Sequence, residues 1–180
     1  MQVYNIIIVQ NSTKVDIFDE AKKVFVSKFC NQLKVGDIVK CYSDETFPAD
    51  LALLTSSSDG DCFIATGSLD GEKNLKKRVQ PKDLKEHFPL NTTNEPILGL
   101  VQGELQCEPP NKDLHSYTGQ IVIKGKYFTL SDKQLLLKGA NLKNTNWVLG
   151  MCVYSGNDTK IMLNSQKGRQ KMSYLETMLN

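Results

Sequence analysis

One stretch of this 180-residue chain concentrates groups that could do chemistry: Ser68-Leu69-Asp70-Gly71-Glu72-Lys73-Asn74-Leu75-Lys76. Two carboxylates flank a glycine, and ammonium groups follow. Asp-Gly is a strong turn signal because glycine takes positive φ without a Cβ clash, so Glu72 is expected at an exposed tip. A carboxylate held there can reach another molecule or domain, orient a water and accept its proton. The cluster Lys73, Lys76, Lys77 and Arg78 behind it reads, on its own terms, as a solvated loop. The tripeptide Asp-Gly-Glu alone is also what an ordinary exposed hairpin carries, so its weight depends on the rest of the chain.

Other candidates are weaker. His87 and His115 have no nucleophile motif or metal-ligand spacing beside them, and read as structural or surface residues. The five cysteines, Cys30, Cys41, Cys62, Cys107 and Cys152, are odd in number, widely spaced and lack a Cys-x-x-Cys pair. They read as reduced, mostly buried thiols of a cytosolic protein. The sequons at Asn11, Asn91 and Asn157 then count as chance triplets. A net charge of +2 argues against a nucleic-acid surface. No run approaches the ~20 apolar residues that a membrane-spanning helix needs, and no leader pattern follows Met1. Trp147 and its apolar neighbours read as core.

The elements that must position Glu72 are short strands. Residues 4–10 contain Ile6, Ile7, Ile8 and Val9 and read as a strand. Residues 14–29 read as two short strands with a turn. Gly36-Asp37 marks a turn before a strand starting at Ile38-Val39. Residues 44–50 form a loop containing Pro48, residues 51–55 an apolar strand, and residues 62–66 a strand expected to pair with it. Pro81 opens a helical turn or two, and residues 91–103 are a connector. Strands follow over 105–108, 117–124 (with Tyr117, Gly119, Ile121 and Ile123 on one face), 134–140, 142–145 and 147–154. Asn157 or Asp158 is placed to cap a helix through Thr159–Met162. Asp37, Asp50, Asn144 and Asp158 read as turn and cap residues. Short strands at regular spacing with Gly, Pro, Asp and Ser between them are the pattern of a β-sandwich or jelly roll. There is no internal repeat.

Several of these segments together resemble one family. VGDIV (35–39), DETFPADLALLTSS (44–57), DGDCFIATGSLDGEKNLKKR (59–78), CEPPN (107–111), QLLLKGANLKNTNWVLGMCVYSGNDTKIMLNS (134–165) and the closing residues 171–180 occur in the order and at the spacing of the actuator domain of type IV P-type ATPases, the phospholipid flippases. From residue 11 onward the resemblance covers nearly the whole chain except the connector. It implies a mainly β fold, a distorted jelly roll or double-stranded β-helix with a few short helices. It implies a single domain over 1–180, a cytosolic loop between two membrane helices of a larger ATPase, with 169–180 leading toward the next one.

The resemblance also implies a division of labour. Such a pump forms and hydrolyses an aspartyl phosphate, and the resemblance assigns Glu72 to positioning the water and taking its proton, with Asp70 and Gly71 shaping the loop. Lys73 stands where the family usually has threonine and is expected to modulate the rate; Ala65, Gly67 and Ser68 depart from a frequent Glu, Ala and Asn. Phe47, Pro48 and Asp50 are expected to form a corner supporting the loop, together with Asn74. The phosphorylation motif Asp-Lys-Thr-Gly-Thr and any phosphate-cradling glycine loop are absent, so no cofactor or metal is expected in this segment, and ATP and Mg2+ belong to the parent. The implied partners are the nucleotide-binding and phosphorylation domains of the same polypeptide, a membrane phospholipid, a small accessory membrane subunit and no nucleic acid, all at the cytosolic face of a membrane. The isolated segment is expected to be inactive. The competing readings are a regulatory or binding jelly roll whose Glu72 loop only contacts a partner, and a free-standing hydrolase pairing Glu72 with a histidine.

Overall fold

The computed structural model describes residues 12–87 and 103–165. The expected strand over 4–10, most of the connector over 91–103 and the closing stretch from 166 lie outside the described residues. Among the described residues twelve strands, β1 to β12, run in chain order as Lys14–Asp19, Val24–Phe29, Ile38–Tyr42, Asp50–Ser56, Asp61–Ala65, Lys76–Val79, Glu104–Cys107, Thr118–Ile123, Lys126–Ser131, Leu135–Leu136, Asn141–Lys143 and Trp147–Tyr154. The helical pieces are short: one α-turn, α1, over Gly67–Asp70, four 3-10 turns, and helical residues 160–165. The chain is mainly β, as the strand pattern predicts.

A six-stranded antiparallel sheet ordered β10-β4-β12-β3-β1-β2 forms the middle layer. Alternation along its strands sends side chains to two separate cores, because successive residues of a strand face opposite sides. Ala52, Leu54, Leu149 and Met151 pack with Ile121, Phe128 and Leu130 of the β7-β8-β9 sheet on one side. Leu51, Leu53, Val148 and Cys152 pack with Cys62, Ile64 and Leu142 of the β11-β5-β6 sheet on the other. A strand covered on both faces reads as an unbroken apolar run, as Leu51-Ala52-Leu53-Leu54 does, and every residue of β4 is buried, including Asp50, Thr55 and Ser56 at its ends. Fully burying a leucine contributes about 1.5–3 kcal/mol, so this central strand anchors the molecule.

That layering corrects one expectation. β5 does not pair with β4: β4 is already flanked by β10 and β12, and the polar turn between them carries the chain into the neighbouring sheet, where β5 pairs with β6 and β11. A second correction concerns the basic cluster. Lys76, Lys77 and Arg78 belong to strand β6, where Arg78 Nε donates to the Leu135 carbonyl at 2.9 Å, and are no solvated loop. The expected strand over 134–140 shrinks to β10, because a 3-10 turn over Asp132–Gln134 precedes it and a turn follows. Strand β9 was not anticipated; it forms a hairpin with β8 through Lys124-Gly125, both at positive φ.

Candidate functional site

The candidate loop joins β5 to β6, which are antiparallel neighbours, so its two ends are fixed side by side. Its first half is α1, which starts after Thr66 and ends at Gly71. Gly71 has φ +76° and ends the turn as a left-handed C-cap, with its N–H donating to the Gly67 carbonyl. A Cβ there would meet nothing within 4 Å inside the chain, so the demand for glycine comes from the backbone angle. The Asp-Gly pair therefore closes a helical turn within a longer β5-β6 connection and does not form a two-residue hairpin.

Asp70 is the fixed point of the loop. Its side chain is only 12% exposed, and both carboxylate oxygens are occupied. Thr66 Oγ1 donates to each at 3.0 and 3.1 Å, the Glu72 N–H donates to Oδ1 at 3.0 Å, and the Lys76 ammonium binds Oδ2. Burial pushes the Asp70 pKa up, but the Lys76, Glu72 and Thr66 donors outweigh it and hold it below the ordinary carboxylate value. Glu72 is the opposite case. Its side chain is 56% exposed and stands beyond the turn, with Lys76 Nζ at 3.0 Å from Oε2. Lys76 is itself only 19% exposed; burial lowers its pKa, and the bonds to Asp70 and Glu72 raise it more, for a net upward shift. Lys73 and Asn74 are exposed on the return to β6. The cation at Glu72 is thus that of Lys76, three residues beyond Lys73, because strand β6 turns Lys76 back under the loop.

The loop is seated from below. Leu69 packs against both cores, and the Ser68 hydroxyl donates to the Gly139 carbonyl at 3.0 Å. Gly139 and Ala140 exchange backbone bonds with Phe47, which is fully buried beside the buried Pro48. The corner over 47–50 is thereby connected to the Glu72 loop through the 137–140 turn.

Asp50 carries more than a turn residue should. It is fully buried, and its two oxygens accept from the Lys138 N–H at 2.8 Å and the Lys160 N–H at 2.7 Å. Asp50, and not Asn157 or Asp158, caps the helical residues 160–165; the Thr159 hydroxyl turns back to the Gly156 carbonyl instead. Burial pushes its pKa up to about 6 against the two N–H groups and the Lys160 and Lys138 ammonium groups, which pull it down. The Lys160 side chain is equally buried; Nζ donates to Asn111 Oδ1 at 2.7 Å, lies 3.6 Å from Glu108 and sits 6.0 Å from the Tyr154 ring centre. No pattern in the sequence marks these contacts except that Glu108 and Asn111 fall in the CEPPN segment. His115 is exposed at the surface, its N–H on Asp113, far in chain and role from the loop; the side chain of His87 lies outside the described residues.

Relatives of known name align along almost all of the chain. It is 39% identical over 176 residues to human Phospholipid-transporting ATPase IG, covering 94% of this chain and 15% of that protein. It is 34% identical over 171 residues to Phospholipid-transporting ATPase DRS2 of Saccharomyces cerevisiae, covering 94% of this chain and 12% of that one. Human Phospholipid-transporting ATPase VA is 39% identical over 166 residues, 91% of this chain and 11% of its own length. The chain belongs to the phospholipid-transporting P-type ATPases. It spans between 11% and 15% of the length of these flippase-family relatives, and so corresponds to one segment of them. No protein-family model matches it. A solved zinc-transporting PIB-type ATPase in its E2.Pi state superposes on 88% of this chain and 16% of its own, with a TM-score of 0.49 and 11% identity, too loose a likeness to carry over any residue.

Proposed function

We propose that this segment is the actuator domain of an ATP-driven phospholipid translocase, and that its Glu72 loop docks on the phosphorylation domain of the same polypeptide to hydrolyse an aspartyl phosphate. The observation that carries the proposal is the asymmetry of the two acids: Asp70 is saturated with hydrogen bonds and nearly buried, whereas Glu72 projects outward from the same turn. A rigid acid builds the turn and a projecting acid does the chemistry.

In that role the Glu72 carboxylate accepts a hydrogen bond from a water lying in line with the phosphorus and the leaving aspartate. It takes the proton as the water oxygen bonds to phosphorus and the P–O bond to the aspartate breaks. The open space around Gly71 lets the backbone approach the other domain. Leu69, Ser68 and the 47–50 corner keep the loop from yielding when it docks. ATP and Mg2+ would be bound by other domains of the parent. Among the described residues no three His, Cys, Asp or Glu side chains cluster as a metal site. Lipid selection, an accessory subunit and a place at the cytosolic face of a membrane belong to the same proposal.

The test is made in the full-length ATPase. Glu72→Gln keeps the shape of the side chain and removes its basicity, so steady-state phosphoenzyme from ATP should rise while phospholipid translocation in proteoliposomes falls to background. Unchanged translocation would assign the loop to a contact role.

A further inference from the structure

The Glu72 carboxylate does not stand alone in the undocked domain. Lys76 Nζ lies 3.0 Å from Glu72 Oε2 while its other bond goes to Asp70 Oδ2, so one ammonium bridges the turn-building acid and the projecting one. The bridge has a strong side and a weak side. Asp70 is nearly buried and also holds Thr66 and the Glu72 N–H, so the Asp70–Lys76 pair is anchored to strand β6 and to α1 together. Glu72 is more than half exposed, and an exposed ion pair is worth at most about 1 kcal/mol, so that contact exchanges readily.

We propose that Lys76 is a further catalytic residue for the hydrolytic step: it parks the Glu72 carboxylate over the Asp70 turn before docking, and offers its ammonium to the phosphoryl oxygens once docking draws Glu72 toward water. The inference rests on the reading of Glu72 given above. An ammonium has three donors, and Asp70 and Glu72 engage two of them. The remaining donor and the one released by Glu72 are the Lys76 donors that can turn to an incoming phosphate. Charge gives the same answer. Asp70, Glu72, Lys73 and Lys76 together are neutral, whereas without Lys76 the tip would bring one net negative charge against an anionic phosphoryl group. The ammonium is well suited to stay charged there, since its two carboxylate bonds outweigh the effect of burial on its pKa. Lys73 is exposed on the return strand and is not part of this bridge.

The experiment uses the full-length ATPase carrying Lys76→Met, Lys76→Arg or Glu72→Gln, phosphorylated with radiolabelled ATP and chased with unlabelled ATP at low and high salt. Phosphoenzyme formation reads whether each variant is folded. Lys76→Met should lose phosphate about tenfold or more slowly than the parent, the effect of removing one charge-assisted hydrogen bond in the transition state. Raising the salt should recover part of that loss, because it screens the uncompensated carboxylates. Lys76→Arg should restore the rate to within a few-fold. A Lys76→Met enzyme that dephosphorylates like the parent, or a Lys76→Arg enzyme as slow as Lys76→Met, overturns the role of Lys76. Should Lys76→Met form no phosphoenzyme, the Lys76→Arg rate decides alone. Glu72→Gln separates the two proposals: if it stalls dephosphorylation while Lys76→Met does not, only the inference fails, and if it leaves the rate unchanged the reading of the loop fails with it.

Discussion

Two groups of acids and lysines sit in this domain with nearly the same chemistry and opposite surroundings. Asp50, Lys138 and Lys160 are buried beneath the sheets, where Asp50 ties the 137–140 turn to the start of helical residues 160–165. Asp70, Glu72 and Lys76 stand at the end of β5 and β6, graded from nearly buried Asp70 to projecting Glu72. In the first group both Asp50 oxygens are committed, and breaking either contact leaves a backbone N–H stranded in the core. In the second, water can replace any contact at Glu72 at little cost. Residue type alone assigns neither role; burial does. A carboxylate that must move to meet a substrate belongs in the second setting, and one that must never move belongs in the first.

The contrast can be broken most forcefully at Asp50. Asp50→Ala strands the Lys138 and Lys160 N–H groups and should cost about 3–5 kcal/mol, read as a lowered urea midpoint of the 180-residue chain. Next comes pH. The folded Asp50 pKa is raised to about 6, above the unfolded value of about 3.9, so the folded state keeps a proton where the unfolded state has lost it. Stability from this group is full below about pH 4 and declines as pH rises through about 6, by roughly 3 kcal/mol. Asp50→Asn should flatten that slope in urea titrations between pH 4 and 7. Asp70, with its pKa lowered, works in the other direction: its contribution is present above the unfolded pKa and is lost as the solution is acidified through the folded one. A smaller effect is expected at the turn, where Gly71→Ala places a Cβ at φ +76° and should cost about 1 kcal/mol in the same assay. The smallest is Glu72→Gln, which should shift stability by less than about 0.5 kcal/mol, since it trades one exposed ion pair for a neutral contact. A loss at Glu72 as large as that at Asp50 would erase the distinction between the two groups.

Much of the scaffold could be read from local patterns. Gly36-Asp37 before Ile38-Val39 and the apolar run of Trp147–Tyr154 each announce a strand, because turn chemistry and β-branched or apolar runs act within a few residues. The partners of those strands are set by long-range burial. Nothing within residues 51–66 says that β4 is sandwiched between β10 and β12, so its pairing with β5 looked natural and was wrong. The exposed position of Glu72 was legible from Asp-Gly, although the glycine turned out to cap a helical turn. The cation beside Glu72 was not, because the register of β6 selects Lys76 and the sequence offers Lys73 as the nearer choice. Asp50 was least legible of all: a Pro-Ala-Asp corner looks the same whether the acid faces water or two buried amides 88 and 110 residues away.

The central claim is that Glu72 performs the hydrolytic step while its neighbours hold the turn. The most direct test is the single-turnover decay of radiolabelled phosphoenzyme in the full-length ATPase, parent against Glu72→Gln, after a chase with unlabelled ATP. Decay about a hundredfold or more slower in the variant, with phosphoenzyme formation intact, is the predicted result; equal decay in the two proteins would contradict the claim.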